Sequence, residues 1–210
     1  MTFKDQLFSK NSLWNIPNLL TILRIALIPA MGVLLAFDSE QPPFDKDWMF
    51  RYSPGRVAAV VLTIMGITDL LDGYLARRWG IESLIGKFLD PLADKLVLLV
   101  GLIMLMDLQR VSAWLVIVLL SREFLVTGLR AIAVGEGIVI AAGGTGKLKL
   151  IFQMVGLGFL MWYGSAFNLP AVVVGTWILY VALLISVFSG MQYLAAFLQA
   201  LGAKRSRDQG

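Results

Sequence analysis

The stretch DLLDGYLARRWGIESLIGKFLDPLADK, residues 69–95, decides how this chain must fold. It places four aspartates, Asp69, Asp72, Asp90 and Asp94, at the adjoining ends of two apolar segments. Burying an unpaired carboxylate costs several kcal/mol at least. The two segments must therefore meet around a partner that compensates these negative charges.

The composition is that of an integral membrane protein. Of the 210 residues, 58% are apolar and 15% are charged, and the mean hydropathy is +0.78. These values lie outside the usual range for a soluble domain. The formal net charge of +4 is small for a nucleic-acid-binding protein, and it fits basic loops that lie against anionic lipid. We therefore expect membrane lipid, and no nucleic acid, among the partners.

Two residue types that often carry chemistry are missing from the sequence. The chain has no cysteine and no histidine. It therefore offers no disulfide, no thiolate nucleophile and no imidazole base or metal ligand. Acid–base chemistry falls to Asp, Glu, Lys or Tyr. Any bound metal is expected to be a hard, oxygen-ligated ion such as Mg²⁺ or Mn²⁺.

Six apolar segments have the length, roughly 20 residues, that a helix needs to cross the hydrocarbon core. The predicted fold class is therefore an all-α integral membrane protein with six transmembrane helices, and the last segment is long enough to leave the membrane. A short N-terminal interfacial helix is expected at residues 1–16, the six-helix domain at 17–199 and a basic cytoplasmic tail at 200–210. The six segments are residues 17–37, 56–76, 89–107, 111–133, 150–167 and 170–199.

The distribution of basic residues predicts the orientation in the membrane. With the N-terminus in the cytoplasm, 14 of the 18 lysines and arginines fall on the cytoplasmic side. Because cytoplasmic loops carry the excess of basic residues, both termini and the aspartate stretch are placed in the cytoplasm. A cleaved signal peptide is not expected, since the first apolar run is too long. The expected location is the inner (cytoplasmic) membrane.

The spacing of the four aspartates predicts a shared site. Asp69 and Asp72 are three residues apart and project from one helix face, and Asp90 and Asp94 are four apart on the next helix. Pro91 leaves two possibilities open, because the second helix begins either just before the proline or further upstream with a kink at it. In both cases each helix offers two carboxylates at nearly the same depth. That arrangement suits two divalent cations about 3.5–4 Å apart, as used for displacement at phosphorus.

Small residues and one arginine accompany the acids. Gly73 and Gly86 remove side chains where a large ligand could approach the helices, and Ala76 is small as well. Arg77 supplies a planar cation suited to phosphate oxygens. A single DxxD pair at a membrane boundary more often forms a polar interfacial face, and a single glycine more often serves helix packing. The combination at fixed spacing favours a ligand site.

The motif D-x2-D-G-x2-A-R-x8-G-x3-D-x3-D, from Asp69 to Asp94, resembles the signature of the CDP-alcohol phosphatidyltransferases and matches it at every position. The whole chain is similar to that family's six-helix membrane domain, which is usually a homodimer. The resemblance implies that Asp69, Asp72 and Asp90 bind two divalent cations. It also implies that Asp94 acts as general base while contacting one of the metals.

The same resemblance implies contacts to the CDP moiety. The segment NIPNLLTILRI, residues 15–25, is similar to the family's first-helix motif, in which Asn18 and Thr21 face the cytidine diphosphate. Asn18, next to Pro17, is equally compatible with a helix cap. Arg24 is a charge inside an apolar span and is expected to line a cavity. The remaining positions implied to receive CDP are Gly73, Ala76, Arg77, Ser83 and Gly86.

The implied reaction is attack of an acceptor hydroxyl, deprotonated by Asp94, on the β-phosphorus of CDP-diacylglycerol, with CMP as the leaving group. The segments SREFLVTGLRAIA, residues 121–133, and GKLKLIFQ, residues 146–153, resemble the branch of the family whose acceptor is glycerol 3-phosphate. Transfer to that acceptor gives phosphatidylglycerophosphate for anionic phospholipid biosynthesis. One departure is Leu150, where many members of that branch have threonine.

A phosphate-bearing acceptor needs a cluster of cations. Four basic residues near the predicted cytoplasmic end supply one, with Glu123 among them. The positive-inside bias by itself explains the two lysines well, but it explains Arg122 poorly because that residue lies near mid-span. The residues expected to bind the acceptor phosphate are Arg122, Arg130, Lys147 and Lys149.

Other functions fit parts of this pattern. The same chemistry with another acceptor, such as inositol phosphate, serine or phosphatidylglycerol, uses the same signature. A carboxylate-lined cation transporter predicts acids distributed across the depth of the bilayer, whereas these lie on one side. An intramembrane aspartyl protease needs only a catalytic pair, which leaves the other two acids and Arg77 unexplained.

Overall fold

The computed structural model describes most of the chain. The interfacial helix expected at residues 1–16, apart from its last two residues, and Ser83 lie outside the described residues. So do the side chains of Ala76, Arg77 and Lys147, although the helices include these positions. The described ranges are residues 15–38, 53–79, 84–138, 145–166 and 169–208.

This part of the chain is nearly all helical, as the sequence predicts. It forms six helices and one short antiparallel ribbon, which the hydrophobic pattern did not predict. In the ribbon, Ser165 lies opposite Pro170, and the turn connects the last two helices. The elements are α1 (Ile16–Ala36), α2 (Pro54–Trp79), α3 (Leu84–Asp107), α4 (Ala113–Gly135), α5 (Thr145–Trp162), β1 (Ser165–Ala166), β2 (Leu169–Pro170) and α6 (Ala171–Asp208).

The apolar helices are those of a membrane protein. Within the described ranges, three helices are long and apolar enough to cross a bilayer: α1 over Asn18–Ala36, α2 over Pro54–Leu75 and α6 over Ala171–Gly202. A shorter apolar stretch of α5 covers Leu148–Trp162. Charged residues interrupt the apolar runs of α3 and α4. Crossing by all six helices therefore stays a prediction.

Local signals set two of the helix starts. The Asn15 side chain caps α1 by accepting a hydrogen bond from the backbone N–H of Asn18 at 2.9 Å. Ser112 caps α4 in the same way, accepting from the backbone N–H of Leu115 at 3.4 Å. Both caps satisfy a backbone donor that the helix leaves unpaired. The cap is therefore Asn15, and the alternative reading of Asn18 as the cap is wrong.

Two other boundaries differ from those that hydrophobicity predicted. Helix α3 begins at Leu84, so Pro91 lies inside the helix, which decides between the two possibilities left open. Helix α5 begins at Thr145 and ends at Trp162, whereas the predicted segment was 150–167. Tyr163 and Gly164 have φ angles of 48° and 80°. Such left-handed residues cannot continue a right-handed helix, so the helix stops although apolar residues follow.

The helices form one bundle with a mainly apolar core. Helix α1 packs on α2 and α3, α5 packs on α2 and α6, and α4 packs on α6. Glycines permit a close approach of α5 and α6: a Cβ at Gly175 would lie 2.9 Å from the carbonyl oxygen of Gly156. The largest buried core side chains include Met31, Leu35, Met65, Leu102, Leu157 and Leu179.

A buried ion pair connects the loops at one end of the bundle. Arg110, in the α3–α4 turn, donates from Nη2 to Asp38 Oδ2 at 2.8 Å, and these side chains are only 2% and 4% exposed. Ser53, just before α2, donates to the other oxygen of Asp38 at 3.1 Å. The guanidinium of Arg110 lies 4.2 Å from the ring of Tyr163. This cluster joins three connections, α1–α2, α3–α4 and α5–α6, at the end of the bundle opposite the aspartates.

Candidate active site

The signature aspartates converge on Arg24 of α1. Its Nη1 lies 2.5 Å from Asp69 Oδ1 and 3.8 Å from Asp94 Oδ1. Its Nη2 donates to Asp72 Oδ2 at 2.6 Å. Arg24 is only 2% exposed, so its guanidinium is shielded from solvent. The sequence marked Arg24 as a costly charge, and the structure places it at the centre of the carboxylates.

Thr21 holds the remaining carboxylate of the signature. Its hydroxyl donates to Asp90 Oδ1 at 2.7 Å, and Thr21 is 1% exposed. Thr21 and Arg24 are three residues apart, so both project from the same face of α1. One face of α1 therefore contacts acidic side chains of both α2 and α3. Thr21 thus lies at the site, as expected, and its contact with CDP stays a prediction.

The carboxylate cluster has a buried side and an accessible side. Asp72 is 3% exposed, whereas the Asp69 and Asp94 side chains are 30% and 25% exposed. Asp90 is half-buried. A ligand can therefore reach the cluster past Asp69 and Asp94. Asp72 lies behind them against Arg24.

The donor set fits a hard divalent cation by its chemistry. It offers carboxylate oxygens from two neighbouring helices, which are the ligands that Mg²⁺ and Mn²⁺ prefer. These oxygens converge on the guanidinium of Arg24, as expected for a cluster whose negative charge needs compensation. Among the described residues, however, no group of three acidic side chains has the geometry to hold a metal ion. The two-metal site stays a prediction, and Arg24 provides the compensating charge in this arrangement.

The other residues implied to contact CDP surround the same end of the bundle. Asn18 is buried in α1 at 1% exposure, one turn before Thr21. Gly86 is buried in α3, and Gly73 is half-buried in α2, directly after Asp72. The helix positions of these residues agree with one site. Ser83 and the side chains of Ala76 and Arg77 lie outside the described residues.

An apolar groove leads away from the carboxylates between α2 and α5. A cavity of about 230 Å³ begins at Arg24, Asp69 and Asp94 and includes Leu150 in its wall. A second cavity of about 510 Å³ continues to Trp162 near the far end of α5. The two cavities share the wall residues Leu62, Thr63, Gly66, Met154 and Val155.

Two of the four predicted phosphate-binding residues meet at an acid. Lys149 Nζ of α5 lies 2.6 Å from Glu123 Oε1, and Arg122 Nη1 of α4 lies 3.2 Å from the same oxygen. Gln153 Nε2, one turn after Lys149, lies 3.5 Å from that oxygen. Gln153 is 1% exposed. These four side chains therefore form a compact polar network between α4 and α5.

Arg130 lies at the edge of this network. It falls within the predicted span 111–133, but it is exposed, with its guanidinium 5.5 Å from the ring of Tyr193 on α6. It is still close enough to act electrostatically on Arg122 and Lys149. Arg122 is thus the only arginine of the predicted set that the described structure buries. The fourth predicted residue, Lys147, lies in the first turn of α5.

Sequence reasoning missed three contributors to these sites. Glu123 was noted beside the cations without a role, and Gln153 was noted only within a motif. Gly190 gave no signal, yet a Cβ there would lie 3.2 Å from Arg122 Nε. A polar residue inside an apolar span was the available signal for Gln153. The importance of Gly190 depends on α4 and α6 meeting, which local sequence does not reveal.

Comparison with known proteins gives one consistent result. Residues 14–198 match the family described as CDP-alcohol phosphatidyltransferase. A protein of Bacillus subtilis is 38% identical over 197 residues, covering 90% of this chain and 98% of its own length. Proteins of Haemophilus influenzae and Salmonella choleraesuis are 34% and 33% identical, covering 86% and 87% of this chain. All three are named CDP-diacylglycerol–glycerol-3-phosphate 3-phosphatidyltransferase.

Proposed function

The chain belongs to the CDP-alcohol phosphatidyltransferase family, and we propose that it transfers the phosphatidyl group of CDP-diacylglycerol to glycerol 3-phosphate. The products are phosphatidylglycerophosphate and CMP. The observation that carries this proposal is the presence of two clusters in one bundle. The first is the group of aspartates around Arg24, and the second is the group of basic side chains around Glu123. The first suits a pyrophosphate-activated donor with its cations, and the second suits a phosphate on the acceptor.

In this reaction the acceptor hydroxyl attacks the β-phosphorus and its proton passes to Asp94. A new oxygen–phosphorus bond forms, and the bond from the β-phosphorus to the bridging oxygen breaks, so that CMP leaves with the electron pair. Asp94 is suited to this role because its side chain is 25% exposed and borders the cavity beside the cluster. Proton transfer by a positioned carboxylate contributes to the rate in this way.

Two divalent cations, Mg²⁺ or Mn²⁺, would be held by Asp69, Asp72, Asp90 and Asp94 and would neutralise charge on the pyrophosphate. The convergence of these four acids on α1 supports this assignment. Arg24 has a part of its own in the proposal. Its two ion pairs with Asp69 and Asp72 keep the carboxylates together against their mutual repulsion.

The CDP-diacylglycerol is proposed to lie with its nucleotide at the site end of α1, α2 and α3. The cytidine diphosphate would contact Asn18, Thr21, Gly73, Ala76, Arg77, Ser83 and Gly86. The acyl chains would extend along the apolar groove between α2 and α5, whose two connected cavities begin beside Asp69 and Asp94. An apolar groove of this kind buries the apolar surface of the acyl chains.

Glycerol 3-phosphate is proposed to bind with its phosphate among Arg122, Arg130, Lys147 and Lys149. The burial of Arg122 and Lys149, which are 11% and 12% exposed, supports this use, because charge-assisted hydrogen bonds are stronger away from water. Leu150 lines the adjacent cavity, so a hydroxyl contact at that position is absent here. In this proposal the four basic side chains hold the acceptor.

The remaining parts of the proposal concern setting and assembly. The protein would lie in the inner (cytoplasmic) membrane as a homodimer, with both termini and the site facing the cytoplasm. The excess of basic residues at the site end supports this orientation. The cation-transporter alternative needs acids through the depth of the membrane. Its path is not supported, because the described core between the two ends is formed by residues such as Met65, Leu102 and Leu157.

The test is release of CMP from CDP-diacylglycerol by the purified protein in nanodiscs, with and without glycerol 3-phosphate. We expect CMP release and phosphatidylglycerophosphate to appear together, and only with both substrates and a divalent cation. A panel with inositol phosphate, serine and phosphatidylglycerol distinguishes the acceptors. Preference for an acceptor without phosphate would overturn the glycerol 3-phosphate assignment and leave the wider transferase assignment intact.

A further inference from the structure

Charged side chains of α4 and α5 meet at a single oxygen atom. Glu123 Oε1 is shared by Lys149 Nζ at 2.6 Å and Arg122 Nη1 at 3.2 Å, with Gln153 Nε2 at 3.5 Å. The three charged side chains are 11–13% exposed. Without the carboxylate, two poorly hydrated cations would lie side by side and repel each other. Glu123 therefore keeps both cations in one place.

The contact between Arg122 and Glu123 is not an ordinary helix-surface pair. The two residues are adjacent in sequence, and adjacent residues of an α-helix point about 100° apart. Their ion pair therefore requires the Arg122 guanidinium to bend toward α5. Gly190 of α6 leaves room for it, because a Cβ there would lie 3.2 Å from Arg122 Nε. Helices α4, α5 and α6 together fix the position of this guanidinium.

Two buried polar atoms of the network have unused hydrogen-bonding capacity. Among the described residues, neither Arg122 Nε nor Gln153 Oε1 has a hydrogen-bond partner. The first is a donor and the second is an acceptor. Buried polar groups without partners are rare and indicate a ligand, a water or strain. A phosphorylated polyol carries both complements, since its phosphate accepts hydrogen bonds and its hydroxyls donate them.

We propose that Glu123 is a positioning residue for the acceptor, holding Arg122 and Lys149 together so that both are ready to bind its phosphate. This inference rests on the proposed function, because the acceptor is taken to be glycerol 3-phosphate. Lysine has a flexible stem, and fixing it before binding lowers the conformational entropy lost on binding. Glu123 acts through its two basic partners and contacts neither the β-phosphorus nor the attacking hydroxyl.

The experiment compares wild type with Glu123→Gln, Glu123→Asp, Lys149→Gln and the double variant Glu123→Gln/Lys149→Gln in nanodiscs. Asp107→Asn is the matched control, since Asp107 is an exposed acid at the other end of α3. Each substrate is varied at saturating concentration of the other. The thermal midpoint of unfolding is measured on the same preparations, which separates a positioning role from loss of folded protein.

For Glu123→Gln we expect the KM for glycerol 3-phosphate to rise by about tenfold, with kcat and the KM for CDP-diacylglycerol within about twofold of wild type. Asp107→Asn should match wild type. Because Glu123 acts in part through Lys149, the rise in KM caused by its replacement should be smaller, less than about threefold, in the Lys149→Gln background. Glu123→Asp, which keeps the charge on a shorter side chain, should raise the same KM by an intermediate factor.

Several outcomes would overturn the proposal. One is an unchanged KM for glycerol 3-phosphate in Glu123→Gln, and another is a fall in kcat without a change in KM. A third is an equal effect of Glu123→Gln with and without Lys149. If Glu123→Gln does not fold, an unchanged KM in Glu123→Asp overturns it. If one of these outcomes occurs while wild type makes phosphatidylglycerophosphate normally, only the Glu123 proposal fails and the proposed function stands. If wild type shows no turnover with glycerol 3-phosphate, both proposals fail.

Discussion

The guanidinium of Arg24 lies 2.6 Å from the carboxylate of Asp72, and these side chains are 2% and 3% exposed. A buried ion pair contributes little compared with a well-packed apolar pair, but removing one partner leaves an uncompensated buried charge. In this chain the same arginine also contacts Asp69. Loss of Arg24 therefore exposes several acids to mutual repulsion at once.

The first prediction is that Arg24→Gln destabilises the protein by roughly 3–5 kcal/mol. The measurement is thermal or denaturant unfolding in detergent without divalent cations. Arg78→Gln is the matched control, because Arg78 is exposed and its guanidinium contacts the hydroxyl and ring of Tyr74, so its effect should stay within about 0.5 kcal/mol. Equal stability of the two variants would contradict a central role for Arg24.

The second prediction concerns divalent cations and charge compensation. Mn²⁺ should restore part of the stability of Arg24→Gln, because a cation among the four carboxylates replaces the missing positive charge. In Asp90→Asn the stabilisation by Mn²⁺ should be smaller and turnover should be lost, since a neutral amide compensates less charge. The readouts are the unfolding midpoint with and without EDTA, and CMP release. Full activity of Asp90→Asn would exclude it as a metal ligand.

The third prediction separates the general base from the ligands. Asp94→Asn should lower kcat by at least about a hundredfold, the scale of general-base loss, while CDP-diacylglycerol still binds. Steady-state kinetics and equilibrium binding of the lipid substrate measure the two effects. A proportional loss of binding and turnover would make Asp94 a ligand alone.

The fourth prediction uses a glycine to move a phosphate-binding arginine. A methyl group at Gly190 would lie 3.2 Å from Arg122 Nε and 3.4 Å from Val126 Cγ2, so Gly190→Ala should displace the guanidinium. The KM for glycerol 3-phosphate should rise by about threefold to tenfold, with little change in the KM for CDP-diacylglycerol. Gly128→Ala is the control, because among the described residues its added methyl group meets no side chain and no other segment within 4 Å. Identical kinetics of the two variants would show that α6 does not position Arg122.

The fifth prediction tests whether the far end of the bundle is structural only. Asp38→Asn breaks the buried pair with Arg110, so it should destabilise the protein by roughly 3–5 kcal/mol. The KM values of the protein that remains folded should equal those of wild type. Unfolding curves and kinetics at a temperature well below the midpoint provide the measurements. A selective change in either KM would show that this cluster communicates with the site.

The sequence was enough to predict where the helices lie and that the four acids share one site, because both depend on local spacing. Residues three or four apart share a helix face, so Asp69 joins Asp72 and Asp90 joins Asp94 wherever the helices lie. Runs of apolar residues marked the helices for the same reason. Local rules predicted the ends of the helices least well. The left-handed backbone of Tyr163 ends α5 although apolar residues follow, and the sequence did not decide whether α3 begins at Pro91 or upstream of it.

The partners of those acids were decided by tertiary structure alone. Arg24 meets Asp72 across 48 positions of sequence, and Thr21 meets Asp90 across 69. Which charge compensates another at such separations depends on how closely and at what angle the helices pack, and packing is a property of facing surfaces rather than of one segment. The grouping of four acids in an apolar chain was enough to predict that they need a compensating positive charge. Only the fold determined that α1 supplies one, because its burial against α2 and α3 leaves Arg24 no other place to satisfy its charge.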